Sequence, residues 1–359
     1  MKEKRSTGKR IVLSIIAIAV IVAIVTISIV AAVMAEEVHE DTHPVQSTET
    51  QDENSKAAQQ SEADIKEQEP TPERTVGSEN VNADSTLLHY RQRPGISREY
   101  KQLPDLKSKY AVVMDADTNT LIAGKQAGIR MFPASLTKVM TLLTAVDFLP
   151  AMDRTFSITL EESDAFYREN ASVAGFLPGE PAKASDMLYG LILPSGADCA
   201  LGLANVTAGN METFTKLMNL EGAKMGLKDS HFSNTSGLHD ENNYTTAYDL
   251  AVIFRYALDN ELCKKVLGTA SYTTEKTGEH PEGIPLWSHT FSYMTGVDMA
   301  GFEVIAGKTG FTTEAGACMV TAAKRDNRTI IVVTGFAPNS RDMCADHIEV
   351  YKGIAEGRI

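Results

Sequence analysis

The chain has 359 residues, 43% of them hydrophobic and 7% aromatic, enough for one large or two ordinary domains. Its formal charge of −13, with no basic stripe of interleaved aromatics in the part that reads as folded, argues against a nucleic-acid partner. The four cysteines lack zinc-finger spacing, and no metal or cofactor is expected.

The charge is unevenly spread. Residues 1–10 carry Lys2, Lys4, Arg5, Lys9 and Arg10 against Glu3, and residues 11–35 are apolar apart from Ser14, Thr26 and Ser28, a run long enough to cross a bilayer. Basic residues before it and Glu36, Glu37, Glu40 and Asp41 after it predict a cytoplasmic tail and a single-pass membrane anchor with the rest outside. Cleavage after Ala35 is the rival, but the run is long for a signal peptide, so a retained anchor is expected. Residues 36–100 read as a disordered acidic stem: between 36 and 86 there are fourteen acidic residues and three basic ones. Such a tether has a reach on the order of 45 Å. The folded domain is then 101–359. Its cysteines Cys199, Cys263, Cys318 and Cys344 would be exported, where disulfides are permitted, yet the apolar surroundings of Cys199 and Cys318 favour small core residues.

After a surface lead-in over 87–105, residues 110–115 read as a strand, 117–120 as a turn and 121–124 as its hairpin partner. A helix follows Pro133, and Leu136, Val139, Met140, Leu142, Leu143 and Val146 fill most of its circumference, which predicts burial. Ser135 and Lys138 stand out there. Three residues apart, they share a helical face, close enough for the amine to take the hydroxyl proton. Burial lowers a lysine's pKa and makes it a base near neutrality, while the helix start points N–H groups at an oxyanion forming beside the serine. The pattern alone is weak: Ser6 and Lys9 match it in the basic tail.

A mixed segment spans 155–181, and a helix over 184–193 ends at Pro194, Ser195 and Gly196. Further helices are predicted at 197–207, 211–225 and 247–258, and strands at 302–307, 318–323 and 329–335 with a turn at Asp326-Asn327. Residues 349–355 suggest a closing helix. The fold class is α+β: a mostly antiparallel sheet built from both ends of the domain, with a helical lobe inserted.

Two more elements complete a pattern. Lys308-Thr309-Gly310 ends the strand from 302, where an amine and a hydroxyl could hold a carboxylate and Gly310 lets a ligand approach the backbone. The same tripeptide at Lys276-Thr277-Gly278 has polar neighbours and no strand pattern, so it is expected to be a surface loop. Ser195-Gly196-Ala197 sits between helices, where a second serine can relay a proton. In this order and local context the three elements, with flanking stretches at 187–193, 231–238 and 244–250, resemble the penicillin-binding serine D-alanyl-D-alanine carboxypeptidases, over about residue 103 to the C-terminus.

The resemblance implies a β-lactamase/transpeptidase-like fold and an acyl-enzyme on Ser135, with Lys138 as base and Ser195 as proton relay. The substrate would be a peptidoglycan stem peptide ending in D-Ala-D-Ala, and β-lactams would be covalent inhibitors. Lys308 and Thr309 would grip the terminal carboxylate beside Gly310, and the N–H groups of Ser135 and Phe311 would form the oxyanion hole. Arg341 lies where some members place a carboxylate-binding arginine, and would bind the substrate carboxylate; an arginine followed by Asp342 and Asp346 is equally well read as a salt-bridge partner. One departure is Ala197, where the family usually has asparagine; Asp198 or a water would have to replace the lost amide. No β-rich C-terminal domain or amphipathic tail follows the final helix, so attachment is expected from residues 11–35. The alternatives are a β-lactamase, for which no Glu-x-x-Leu-Asn stretch occurs between Ser195 and Lys308, and a non-catalytic muropeptide or β-lactam sensor, which would not require a nucleophile paired with a base.

Overall fold

The structure, a computed structural model, describes residues 93–359; the expected tail, the membrane anchor and the stem up to residue 92 lie outside the described residues. Strand β1 (Gly95–Gln102) is followed by the expected hairpin of β2 (Tyr110–Asp115) and β3 (Thr120–Lys125). The stretch read as lead-in and end of stem is therefore an edge strand, paired in parallel with β3. Its mostly exposed side chains give no core signal; the free edge of β3 orders it, and Gly124 leaves room for the Tyr100 ring, since a Cβ there would stand 2.2 Å from Tyr100 Oη.

The chain then enters the helical lobe through β4 (Arg130–Met131), a 3₁₀ turn (Ala134–Leu136) and α1 (Thr137–Phe148). There follow β5 (Thr155–Phe156), α2 (Leu160–Arg168), β6 (Ala182–Lys183), α3 (Ala184–Ile192), α4 (Ala197–Ala208) and α5 (Met211–Lys224). Helix α2 lies inside the segment left as mixed: it buries no residue and rests on the Thr159/Glu162 capping box. Then come β7 (Thr245–Thr246), α6 (Ala247–Asp259), α7 (Glu261–Leu267), β8 (Ser271–Thr273), β9 (Pro285–Trp287) and α8 (His289–Met294). The return to the sheet is β10 (Glu303–Thr312), β11 (Gly316–Arg325) and β12 (Arg328–Ala337), closed by α9 (Ser340–Ala355).

The six-stranded sheet has the order β1-β3-β2-β12-β11-β10, antiparallel at every pair except β1–β3. Both ends of the domain thus build one sheet, as expected, though it is mixed. Period-two alternation sorts side chains between its faces: Tyr110, Val112 and Met114 pack with the helical lobe, Ala111 and Val113 with the rear core beneath α9. Helix α9 begins nine residues before the expected 349. Asn339 caps it by accepting from Asp342 N at 3.0 Å, and Met343, His347, Val350, Tyr351 and Ile354 form its buried stripe. All four cysteines are unpaired, three buried and Cys344 half-buried, in line with core packing.

Candidate active site

Helix α1 is buried from Thr137 through Ala145, so Lys138, 2% exposed, enters the interior with its helix rather than by its own choice. Its Nζ lies 3.0 Å from Ser135 Oγ and 2.5 Å from the Ser236 carbonyl oxygen. Burial depresses the amine to a pKa of about 7, against an upward pull from the Asp198 carboxylate. A neutral amine fits both contacts: one N–H donates to Ser236 O while the lone pair accepts the Ser135 hydroxyl proton.

Ser135 is presented on a strained turn. Ala134 has φ +47°, and Gly237, at φ +79°, comes so close that a Cβ there would stand 1.8 Å from Ala134 O. The loop behind it is clipped by Asn234, whose Oδ1 accepts from Ser236 N and Gly237 N while its amide donates to Leu238 O. Thr141 Oγ1 donates to Thr235 O at 2.7 Å and ties the same loop to α1. The 231–238 stretch thus supplies the carbonyl that orients Lys138. This role is not legible in the sequence, because a backbone carbonyl leaves no residue-type signature.

Lys308, Thr309 and Gly310 lie within β10 rather than at its end; the ladder runs on through Lys308↔Val320, Thr309↔Met319, Gly310↔Cys318 and Phe311↔Ala317. A Cβ on Gly310 would stand 2.8 Å from Ser135 N, so this glycine lets the strand pass against the nucleophile's amide. Phe311 follows, 65% exposed. Lys308 is 1% exposed, and its one hydrogen bond among the described residues goes to Thr309 O at 2.8 Å. Burial first, and the charge of Lys138 second, hold its pKa well below the usual lysine range. The two lysines therefore sense each other across the cleft.

Ser195 ends the α3–α4 turn at φ +69°, 4% exposed, with its hydroxyl buried and without a hydrogen-bond partner. A buried hydroxyl left unpaired costs about 1–3 kcal/mol, which a ligand group can recover. Asp198 does not replace the missing asparagine amide. Its carboxylate accepts from the amides of Ala174, Gly175 and Cys199 and so faces the 172–175 loop, reaching Lys138 only through its field. Arg341, the second residue of α9, is exposed and has no ion pair or hydrogen bond among the described residues. The alternative reading, a salt bridge, does not form among the described residues, because Asp342 pairs with Asn339 and Asp346 with the amides of Lys107 and Ser108. The arginine stands at the sheet end that carries Phe311, since Phe311, Ala317 and Ala337 are successive register partners.

The structure thus joins Ser135, Lys138, Lys308 and Gly310 in one cleft, with Ser195 at the head of α4, which packs on α1. The second Lys-Thr-Gly copy is a loop after β8, as expected.

Comparison with known proteins agrees with this geometry. The family model described as D-alanyl-D-alanine carboxypeptidase matches residues 97–338. The chain is 32% identical over 235 residues to the D-alanyl-D-alanine carboxypeptidase DacF of Bacillus subtilis, covering 64% of this chain and 57% of that relative's length. It is 30% identical to the D-alanyl-D-alanine carboxypeptidase of a Streptomyces strain, covering 64% of this chain and 80% of that protein. Among solved structures, the Streptomyces DD-transpeptidase superposes with a TM-score of 0.63 at 29% identity, over 70% of this chain and 98% of that one. The Mycobacterium tuberculosis D-alanyl-D-alanine carboxypeptidase superposes with a TM-score of 0.61 at 26% identity, over 70% and 93%. With its strained serine, its buried lysine pair and a family match across most of the described residues, this chain belongs to the D-alanyl-D-alanine carboxypeptidase family.

Proposed function

We propose that the protein is a serine D,D-carboxypeptidase that removes the terminal D-alanine from peptidoglycan stem peptides outside the cytoplasm, tethered to the cytoplasmic membrane by residues 11–35. The observation that carries the catalytic reading is the 3.0 Å contact between Lys138 Nζ and Ser135 Oγ, in a site where the amine titrates near pH 7. The tether is supported by the basic residues ahead of the apolar run and the acidic stem after it.

In the reaction the terminal carboxylate enters beside Lys308 and Thr309. A buried lysine with lowered proton affinity takes up a proton as the carboxylate arrives, so binding assembles the ion pair in place. Arg341 adds a second positive charge at that end of the cleft. Lys138 removes the Ser135 proton as Oγ bonds to the carbonyl carbon of the penultimate D-alanine, and the N–H groups of Ser135 and Phe311 hold the developing oxyanion. The C–N bond then breaks, and the proton passes from Lys138 through the Ser195 hydroxyl to the departing amine. Water hydrolyses the ester, with Lys138 again the base. β-Lactams acylate the same serine.

The test is D-alanine release from a diacetyl-L-Lys-D-Ala-D-Ala peptide by the full chain, beside Ser135→Ala. Release by the parent alone is the expected result. Absence of both release and Ser135 labelling by a fluorescent penicillin, in folded protein, would overturn the enzyme assignment.

A further inference from the structure

Asp198 is 2% exposed and stands in the first turn of α4, directly after Ala197. A buried carboxylate needs either a cation or several donors. Among the described residues Asp198 has donors: Oδ1 accepts from Ala174 N and Cys199 N, both at 2.9 Å, and Oδ2 accepts from Ala174 N at 3.0 Å and Gly175 N at 3.2 Å. All are backbone amides, which cannot accept, so a proton on either oxygen would face a donor and break a bond already made. This donor set favours the ionised form against the upward pull of burial.

The bonds have a mechanical result. They tie the 172–175 strap to the turn that presents Ser195, and Ala197 N donates to Ser172 O at 2.7 Å beside them. Gly196 is held between the two: a Cβ there would stand 2.5 Å from Asp198 Oδ1 and 2.9 Å from Ala174 N. Ser195, at φ +69°, has no bond of its own through its hydroxyl, so this clasp fixes the backbone from which the hydroxyl projects. The charge has a second result. The ionisable groups that act on Lys138 are Asp198 and Cys199 from α4 and Lys308 from β10. Burial keeps Cys199 a neutral thiol, Lys308 can only oppose a second positive charge, and Asp198 is the carboxylate of the set. In a low-dielectric interior such a field acts beyond contact distance.

We propose that Asp198 is a positioning residue for acylation: its carboxylate clasps the Ser195 turn, and its charge stabilises the ammonium that forms on Lys138. In that step Ser135 Oγ bonds to the carbonyl carbon, the carbonyl electron pair moves to the oxyanion, and the hydroxyl proton passes to Lys138 Nζ. The new ammonium is buried, so a fixed negative charge facing it lowers the energy of the transition state. This assignment rests on the D,D-carboxypeptidase reading, with Lys138 as base, and adds what sets the strength of that base.

The experiment follows acylation of Ser135 by a fluorescent penicillin between about pH 5 and pH 9 in the full chain, for the parent, Asp198→Asn and Asp198→Ser. Asparagine keeps an oxygen for the amides and serine a smaller acceptor; both remove the charge. In each folded variant the midpoint of the rise is expected about one pH unit below that of the parent, with a plateau about threefold lower because a weaker base takes the proton less readily. A slackened turn alone would lower the plateau and leave the midpoint in place, and that result would overturn the proposal. A parent profile without a rise near pH 7 is a separate failure: it removes Lys138 as base, and the role of Asp198 with it. If neither variant folds, the carboxyl carbon resonance of Asp198 in the parent decides. It should be that of an ionised acid at pH 7 and shift with a midpoint near 7 as Lys138 loses its proton. A resonance that stays flat from about pH 6 to pH 8 would overturn the proposal.

Discussion

The two faces of the central sheet each bury ionisable groups, and they treat them differently. On the lobe side, Lys138 and Lys308 are buried with few partners, in a region that also leaves the Ser195 hydroxyl unpaired. On the rear side, His347 is buried with both ring nitrogens satisfied, Nδ1 at 2.9 Å from Thr321 Oγ1 and Nε2 at 3.0 Å from Thr334 Oγ1, and Tyr351 Oη lies 2.7 Å from the same Thr321 hydroxyl. Desolvation lowers the proton affinity of Lys138, Lys308 and His347 alike. Unmet bonding capacity on one face is available to a substrate; met capacity on the other can only hold the fold. The comparison therefore predicts that substitutions on the first face change rate and those on the second change stability.

The largest effect should come from Lys138→Met, which keeps the volume and removes the base. Ser135 acylation by a penicillin is expected to fall by about a thousandfold, while the melting temperature holds or rises, because a desolvated amine is replaced by an apolar chain. In the parent the acylation rate should climb with pH and level off above about 7, since the neutral amine is the active form. A pH-independent rate between 5.5 and 8 would remove Lys138 from the base role. Next in size is Lys308→Gln. Losing hydrogen bonds from a charged donor to the substrate carboxylate costs roughly 1.5–3 kcal/mol, or about 10- to 100-fold in kcat/KM for a D-Ala-D-Ala peptide. An amidated peptide should lose little between parent and variant; a loss as large as for the free acid would mean that Lys308 acts elsewhere.

The opposite signature is expected from His347→Leu: unchanged labelling of Ser135, with stability lowered by about 2 kcal/mol at neutral pH as the Thr334 hydroxyl loses its partner. The pH dependence has a definite sign. Burial holds the His347 pKa down at about 3, so below 6.5 the unfolded chain binds a proton that the folded one does not, and stability falls as pH drops from 6.5 toward 3. Asp147, pushed up to about 6 by burial and by the nearby Glu221, contributes in the other direction. The measurement that isolates His347 is thus the difference between parent and variant in urea unfolding free energy. It should narrow by up to about 1.4 kcal/mol per pH unit below 6.5. A difference that does not change with pH would mean that His347 is protonated in the fold.

Legibility in the sequence followed the same division. The lobe-side chemistry could be read because Ser135, Lys138 and Ser195 are residue types that a buried helix and its neighbouring turn do not otherwise favour, and because Lys308 interrupts a strand. The α1 hydrophobic pattern and the β2–β3 hairpin were equally plain, since each rests on local periodicity. What escaped were elements defined by partners far along the chain. Strand β1 has no core pattern and is ordered by β3's edge; the start of α9 depends on the Asn339 cap, before an apolar stripe spread thinly among charges; the Ser236 carbonyl acts through backbone alone. Arg341 was readable as either a carboxylate ligand or an ion-pair member, and the ion pair did not form because both nearby aspartates had backbone or amide partners.

The smallest effect should come from the second Lys-Thr-Gly copy, and there the contrast between identical tripeptides is sharpest. Lys276 is exposed and among the described residues pairs with the exposed Glu282 alone, at 3.2 Å, a pair worth less than about 1 kcal/mol. Lys308, in the same local sequence, is sealed inside a sheet against the nucleophile's turn. Lys276→Ala should therefore leave both D-alanine release and stability within about twofold and about 0.5 kcal/mol of the parent. Its neighbour behaves otherwise, for Thr277 donates to the buried Glu180 carboxylate, which His280 also contacts at 2.8 Å, and these contacts pin the β8–β9 hairpin to the lobe. Thr277→Val is expected to cost about 1 kcal/mol of stability with kcat/KM preserved. Loss of turnover in folded Thr277→Val would place that hairpin, rather than β10 alone, in control of the carboxylate end of the cleft.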